Sequence, residues 1–261
     1  FKENVIAQVK TFFKPHRVAA DKLNVLVDIS GGIGDVAISR ILVKKLKEAL
    51  PNADIYFCYD YKEVFDTIFV DGKYVKGFVP KRYKKSCFDL IIGGCHTLTF
   101  KYYNKPRIEQ FAPHFIPLFE KALAIQKIID VFTVNPPFLD GYGAHALTDY
   151  GSSRVANMGL CTGLDIDRNE KALIDLPQDA SPLLQRFGLK GRYITVHNGL
   201  NTKSRFGGGY LTRTWPLSAW GDFAVLFKQA FPDIKIVHIG TKDAQKFDFA
   251  DISLLGKTSI Q

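Results

Sequence analysis

The chain has 261 residues, 46% hydrophobic and 23% charged, ordinary proportions for a globular protein with one large domain or two smaller ones. No apolar run approaches the roughly 18–20 residues that a bilayer span needs. Phe1-Lys2-Glu3-Asn4 opens a mixed amphipathic stretch with no apolar signal region. The net charge of +9 predicts acidic partners: nucleotide phosphates or anionic lipid headgroups. Nucleic acid is disfavoured, because no recognition motif accompanies the charge. Cys58, Cys87, Cys95 and Cys161 form no CxxC pair, which predicts reduced, mostly buried thiols, a cytoplasmic setting and no metal site.

In chain order, 3–14 and 17–22 read as a helical lead-in broken near Pro15. Asn24 to Ile29 reads as a buried strand. The glycine turn Gly31-Gly32-Ile33-Gly34-Asp35 follows, and then a helix from Val36 to Leu50 with apolar residues at helical spacing. Strands are expected at 55–59, 75–79 and 88–94, and a short helix at 61–68. Residues 107–132 read as mostly helical, with breaks at Pro113 and Pro117, and 149–160 as a further helix closed by Gly159 or Gly163. Strands alternating with helices predict an α/β protein, a parallel sheet with helices on both faces. A connector at 175–191 precedes a restart of the pattern: strand 193–197, helix 217–231 with Ser218 as cap, strand 234–240.

Gly32-Ile33-Gly34-Asp35-Val36-Ala37 satisfies the G-x-G-x-x-A dinucleotide fingerprint, with Asp60 as the ribose-binding acid, although Asp60 lies further on than the roughly 20 residues expected. A carboxylate at a helix start would repel a pyrophosphate on the same amides, which turns the argument away from an NAD(P)-dependent oxidoreductase. The helix N-terminus instead favours an ionised Asp35, as a base or simply as a complement to the helix dipole. Lys81-Arg82-Tyr83-Lys84-Lys85 is the densest basic patch, either a solvated loop or a contact to an anionic acceptor or membrane surface. Asp165-Ile166-Asp167 reads as loop rather than a metal site. Trp215 is expected to pack in the core against the helix at Leu217, and His197 to be a hydrogen-bonded structural residue; His96 and His114 have no partner the sequence identifies.

Two blocks of sequence carry a resemblance. The first is Gly34-Asp35-Val36-Ala37-Ile38-Ser39 with Leu46-Lys47-Glu48-Ala49-Leu50-Pro51-Asn52-Ala53-Asp54-Ile55. The second is Ile194-Thr195-Val196-His197-Asn198-Gly199 with Arg213-Thr214-Trp215-Pro216-Leu217-Ser218-Ala219-Trp220, echoed by Ile236-Val237-His238-Ile239-Gly240 and by Leu255-Gly256-Lys257-Thr258-Ser259. In this order they resemble glycosyltransferase family 9, the heptosyltransferase-like enzymes, from about Asn24 to Gln261.

The resemblance implies a GT-B architecture of two Rossmann-like, doubly wound domains. Residues 1–176 would form the acceptor-binding domain and 192–261 the beginning of an incomplete nucleotide-sugar-binding domain. It implies metal-independent, inverting transfer from a nucleotide-diphosphate sugar, a substrate rather than a resident cofactor. Asp35 would be the general base, and Gly32 and Gly34 would shape the turn and admit the acceptor, which Lys81 and Arg82 would contact. Asn198, Gly199 and Leu200 would supply backbone amides to the leaving diphosphate. Thr212, Arg213 and Thr214 occupy the phosphate-binding position, with Arg213 preferred over Lys203 and Arg205. An acceptor of the lipopolysaccharide type would place the enzyme in the cytoplasm at the inner membrane face.

The chain departs from the family in three places. Ser39-Arg40 stands where Thr-Pro is usual, and residues 201–211 form a glycine-rich insertion. The later Asp-Ser-Gly-x-x-His segment is missing before Gln261, so the expectation is a fragment or a truncated second domain. A non-catalytic nucleotide-binding protein stays open as the alternative, beside the oxidoreductase.

Overall fold

The structure, a computed structural model, describes residues 21–95, 97–133, 149, 151–174, 179–198, 215–242 and 244–258. The expected helices before residue 21 lie outside these, apart from the end of the second. Two compact units emerge, Phe1–Asp175 and Leu176–Gln261.

The first unit is built on a five-stranded sheet. Its elements are β1 (Asn24–Ile29), α1 (Ile33–Ala49), β2 (Asp54–Cys58), α2 (Lys62–Ile68), β3 (Gly77–Val79), β4 (Leu90–Gly94), β5 (Leu98–Tyr103), α3 (Lys105–Phe111), α4 (Ile116–Thr133) and α5 (Arg154–Thr162). The strand order is β3-β2-β1-β4-β5. β1 pairs in parallel with β2 and β4, and β2 with β3, while β5 turns back antiparallel on β4. β1 is buried along its whole length, as a central parallel strand is, its polar Asn24 and Asp28 included.

Alternate residues of β1 enter different cores. Val25, Val27 and Ile29 join a large cluster with Val36, Leu42, Val43 and Leu46 of α1, with Phe115 and Phe119, and with Met158 and Cys161 of α5. Leu26 faces a smaller cluster with Cys58, Val79, Phe88 and Ile91, covered in part by Tyr83 and Cys87. The described α-helices therefore pack on one face only, whereas helices on both were expected. On the other face lies the segment that carries the basic patch.

Several local expectations shift. β5 went unpredicted, because Leu98-Thr99-Phe100-Lys101 follows the glycines of β4 with no separating turn signal. Pro117 does not break a helix; it sits in the first turn of α4, where a missing N–H costs nothing. Gly163, at φ 75°, ends α5 in the left-handed region.

In the second unit α6 (Ser181–Arg186) lies within the expected connector. β6 (Tyr193–Val196), β7 (Lys235–His238) and β8 (Ile252–Ser253) form a parallel sheet in that order, with α7 (Leu217–Ala230) following Pro216. Ser218 is not the cap of α7: Pro216 is, and it makes no side-chain cap bond. Both units are thus α/β with parallel pairing.

Candidate active site

In the order β3-β2-β1-β4-β5 the chain runs outward from β1 on one side and then crosses to β4 on the other. The carboxyl ends of β1 and β4 therefore flank the point where ligands collect in open α/β sheets. The glycine turn leaves β1 at this point, and Gly94-Cys95 leave β4. Ser30 N–H donates to Gly94 O at 2.9 Å and joins the two ends.

α1 begins earlier than the sequence predicts, at Ile33, so Asp35 is its third residue rather than part of the turn before it. From there its carboxylate reaches back, and Oδ2 accepts the Gly32 N–H at 2.6 Å. A glutamate or aspartate at this position commonly closes a helix start in that way. Oδ1 is ion-paired with the Arg154 guanidinium at the start of α5. Arg154 Nη2 also donates to Cys95 O at 3.1 Å. Cys95 Sγ lies 3.9 Å from Asp35 Oδ2. The Asp35 side chain is 15% exposed, while Gly31 to Gly34 form an exposed shelf beside it.

Gly31 makes this geometry possible. Its φ is 116°, and a Cβ there would lie 2.1 Å from Asp35 Oδ2 and 2.9 Å from Cys95 Sγ. Its carbonyl accepts the Tyr59 hydroxyl at 2.9 Å. Around Gly34 there is open space where a side chain would stand. The expected role of Gly32 changes: its amide, which a bound pyrophosphate would need, is already occupied by Asp35. A dinucleotide would have to displace that bond against a like charge. Asp60, the ribose-binding acid of that reading, is exposed at the end of β2.

The basic patch divides. Lys81 is not a free surface cation. Its ammonium donates to Asp28 Oδ1 at 2.6 Å and to Ile29 O at 2.8 Å. Tyr83 OH and Lys101 Nζ reach Asp28 Oδ2 at 2.7 and 3.0 Å. Burial pushes the Asp28 carboxyl up, but the bonds from Lys81 and Tyr83 and the charge of Lys101 outweigh it and hold it down at about 2. Burial, with the Asp28 charge, raises the Cys58 thiol to about 12, and Tyr83 is raised for the same reasons. Arg82, by contrast, is exposed.

Arg40, one of the departures from the family, is buried. It pairs with Asp71, donates to Ile68 O at 2.9 Å and lies over the rings of Tyr74 and Phe69. His114 Nε2 lies 2.8 Å from Ala49 O at the end of α1. Asp167 Oδ1 accepts the Asn169 N–H in the loop expected for the D-x-D string.

Of the residues proposed for a donor site, Asn198 is described, whereas Gly199, Leu200, Thr212, Arg213 and Thr214 lie outside the described residues, as do Lys203 and Arg205. Asn198 is buried, and its Oδ1 accepts the Trp220 Nε1–H at 2.9 Å. Trp215 is not core: it is 57% exposed, with its ring 5.2 Å from that of Trp220. Arg154 is the site residue that sequence reasoning missed. It is separated from Asp35 by most of the unit, and the Ser153-Arg154 pair signals only a helix start.

No family model matches the chain, and no curated protein does. Solved structures do. The chain is similar to ADP-heptose lps heptosyltransferase II of E. coli, at 15% identity and a TM-score of 0.49, over 90% of this chain and 73% of that one. It is also similar to a glycosyl transferase family 9 structure from Veillonella parvula DSM 2008, at 13% identity and a TM-score of 0.47, over 93% of this chain and 72% of that one. Among the described residues no helix is long and apolar enough to cross a membrane.

Proposed function

We propose that the chain is a glycosyltransferase that moves a sugar from a nucleotide-diphosphate donor to a hydroxyl of an anionic glycan or glycolipid, with inversion at the anomeric carbon. One observation carries the reading: an aspartate stands at the ligand-collecting point of a parallel sheet, on an open glycine shelf, with its own helix amide already satisfied. That arrangement suits an incoming hydroxyl better than a phosphate. The order of the two sequence blocks supports the same reading.

In this mechanism the acceptor hydroxyl gives its proton to Asp35 as its oxygen attacks the anomeric carbon. The new C–O bond forms as the bond to the diphosphate oxygen breaks, and the nucleoside diphosphate leaves with the bonding pair. The exposed Arg82 supplies positive charge for an anionic acceptor. The diphosphate falls to the second unit, with Arg213 as its cation. No step is assigned to a metal or a resident cofactor. An acceptor of the lipopolysaccharide class would bring the enzyme to the inner membrane face.

The test is transfer by the full chain from a panel of nucleotide sugars, beginning with ADP-heptose, onto lipopolysaccharide lacking heptose. Asp35→Asn is expected to lower turnover by about 10²–10⁴-fold while leaving the fold intact, as loss of a general base does. Unchanged turnover in that variant would sink the base assignment. Tight NAD binding without nucleotide-sugar binding would favour the oxidoreductase instead.

A further inference from the structure

We infer that Arg154 is the positioning residue for Asp35, holding its carboxylate from the α5 side so that the remaining lone pairs face the glycine shelf. The inference rests on the reading of Asp35 as the base. The two carboxylate oxygens are held by different elements. Oδ2 takes the Gly32 amide at the start of α1, and Oδ1 takes the guanidinium at the start of α5. A single anchor would leave the carboxylate free to rotate about its side-chain torsions, whereas two anchors on separate elements leave one orientation.

The guanidinium is itself fixed. Ser153 caps α5 by accepting the Ala156 N–H at 3.1 Å, which sets where the helix starts and so where Arg154 begins. Nη2 then spans to Cys95 O at 3.1 Å, which ties the arginine to the end of β4. Base, glycine turn and β4 end are thereby locked as one constellation. Both contacts come from Nη2, whose two N–H donors are fixed in the guanidinium plane, so a freely rotating ammonium replaces them only in part.

Docking of α5 does not need this pair. Met158 and Cys161 already bury that helix in the large core, and a one-third exposed arginine adds little to stability. What the pair controls is the direction of a carboxylate at the ligand-collecting point, and small misplacements of a reacting group cost rate heavily.

The experiment uses the full chain with ADP-heptose and heptose-free lipopolysaccharide. Arg154→Gln is expected to lower kcat by about 10- to 100-fold with little change in either KM. Arg154→Lys should recover part of the loss, and added guanidinium should restore part of the activity of Arg154→Ala. In the Asp35→Asn background, Arg154→Gln should cost nothing further, since both act through one carboxylate. Wild-type kcat in Arg154→Gln overturns the inference, as does a raised acceptor KM with kcat intact or a loss that adds to that of Asp35→Asn. Full activity in Asp35→Asn is a different failure: it removes the base reading itself, and the role of Arg154 with it.

Discussion

A single missing Cβ decides whether the candidate base can exist where it does. At φ 116° Gly31 occupies backbone space that side chains rarely adopt, and a methyl there would lie 2.1 Å from Asp35 Oδ2. Gly31→Ala therefore carries two penalties, the strained backbone and the displaced carboxylate. We expect it to cost about 1–3 kcal/mol in chemical denaturation and to lower transfer well beyond what that loss of stability explains. Gly34→Ala, with open space around its Cβ, should cost only a few tenths of a kcal/mol in denaturation or even add stability inside α1. If Gly31→Ala matched Gly34→Ala in denaturation, the turn would not be shaped by its contact with Asp35. Sequence showed that this turn was special, because three glycines after a buried run have few other uses. It could not show which glycine was indispensable, since that depends on where the Asp35 side chain bends.

Elements were legible where their signal was local. β1, α1, β2 and β4 follow from apolar runs and helical spacing, and they alone bring the glycine turn to the carboxyl edge of the sheet. What escaped was long-range. β5 has no turn signal before it, and Arg154 meets Asp35 only through the packing of α5 on α1. The basic patch looked like a surface feature, yet Lys81, Tyr83 and Lys101 converge on Asp28 from two different segments. That cluster pins the 80–88 segment over a sheet face on which no described α-helix packs. Its pH dependence follows from linkage. The Asp28 carboxyl is depressed to about 2 in the folded chain and returns to an ordinary value near 3.9 on unfolding. Its contribution, about 2 kcal/mol, is present above pH ~4 and lost as the pH falls toward 2. Asp28→Asn should lower stability at pH 7 and flatten the acid limb of urea denaturation between pH 4 and 2. An acid limb unchanged in that variant would show that the charges around Asp28 do not depend on it.

At the scale of the whole molecule the two units differ in how they meet acid, and a tryptophan signal can separate them. The chain has 2 tryptophans, Trp215 and Trp220, both in the second unit, so intrinsic tryptophan fluorescence follows that unit alone. There His238 ends β7 fully buried, its ring stacked 4.1 Å from that of Phe247, and among the described residues neither ring nitrogen has a hydrogen-bond partner. Burial, with the charge of His197 adding to it, lowers its pKa below the usual 6.5. The unfolded chain therefore binds a proton that the folded unit resists. The stabilising effect of a neutral His238 is complete above pH ~6.5 and is lost as the pH falls through the folded value. Asp251, held down by Lys228 and the Ile236 amide against its burial, acts only at lower pH and leaves this window clear. The tryptophan-detected melting temperature should thus fall between pH 7 and 5, while the Asp28 window in the first unit is still closed. His238→Phe keeps the stack on Phe247, removes the buried unsatisfied nitrogens and should abolish that slope while raising stability at pH 5 by about 1 kcal/mol or more. A wild-type melting curve that is flat from pH 7 to 5 would mean that the ring is charged or solvated in the folded unit.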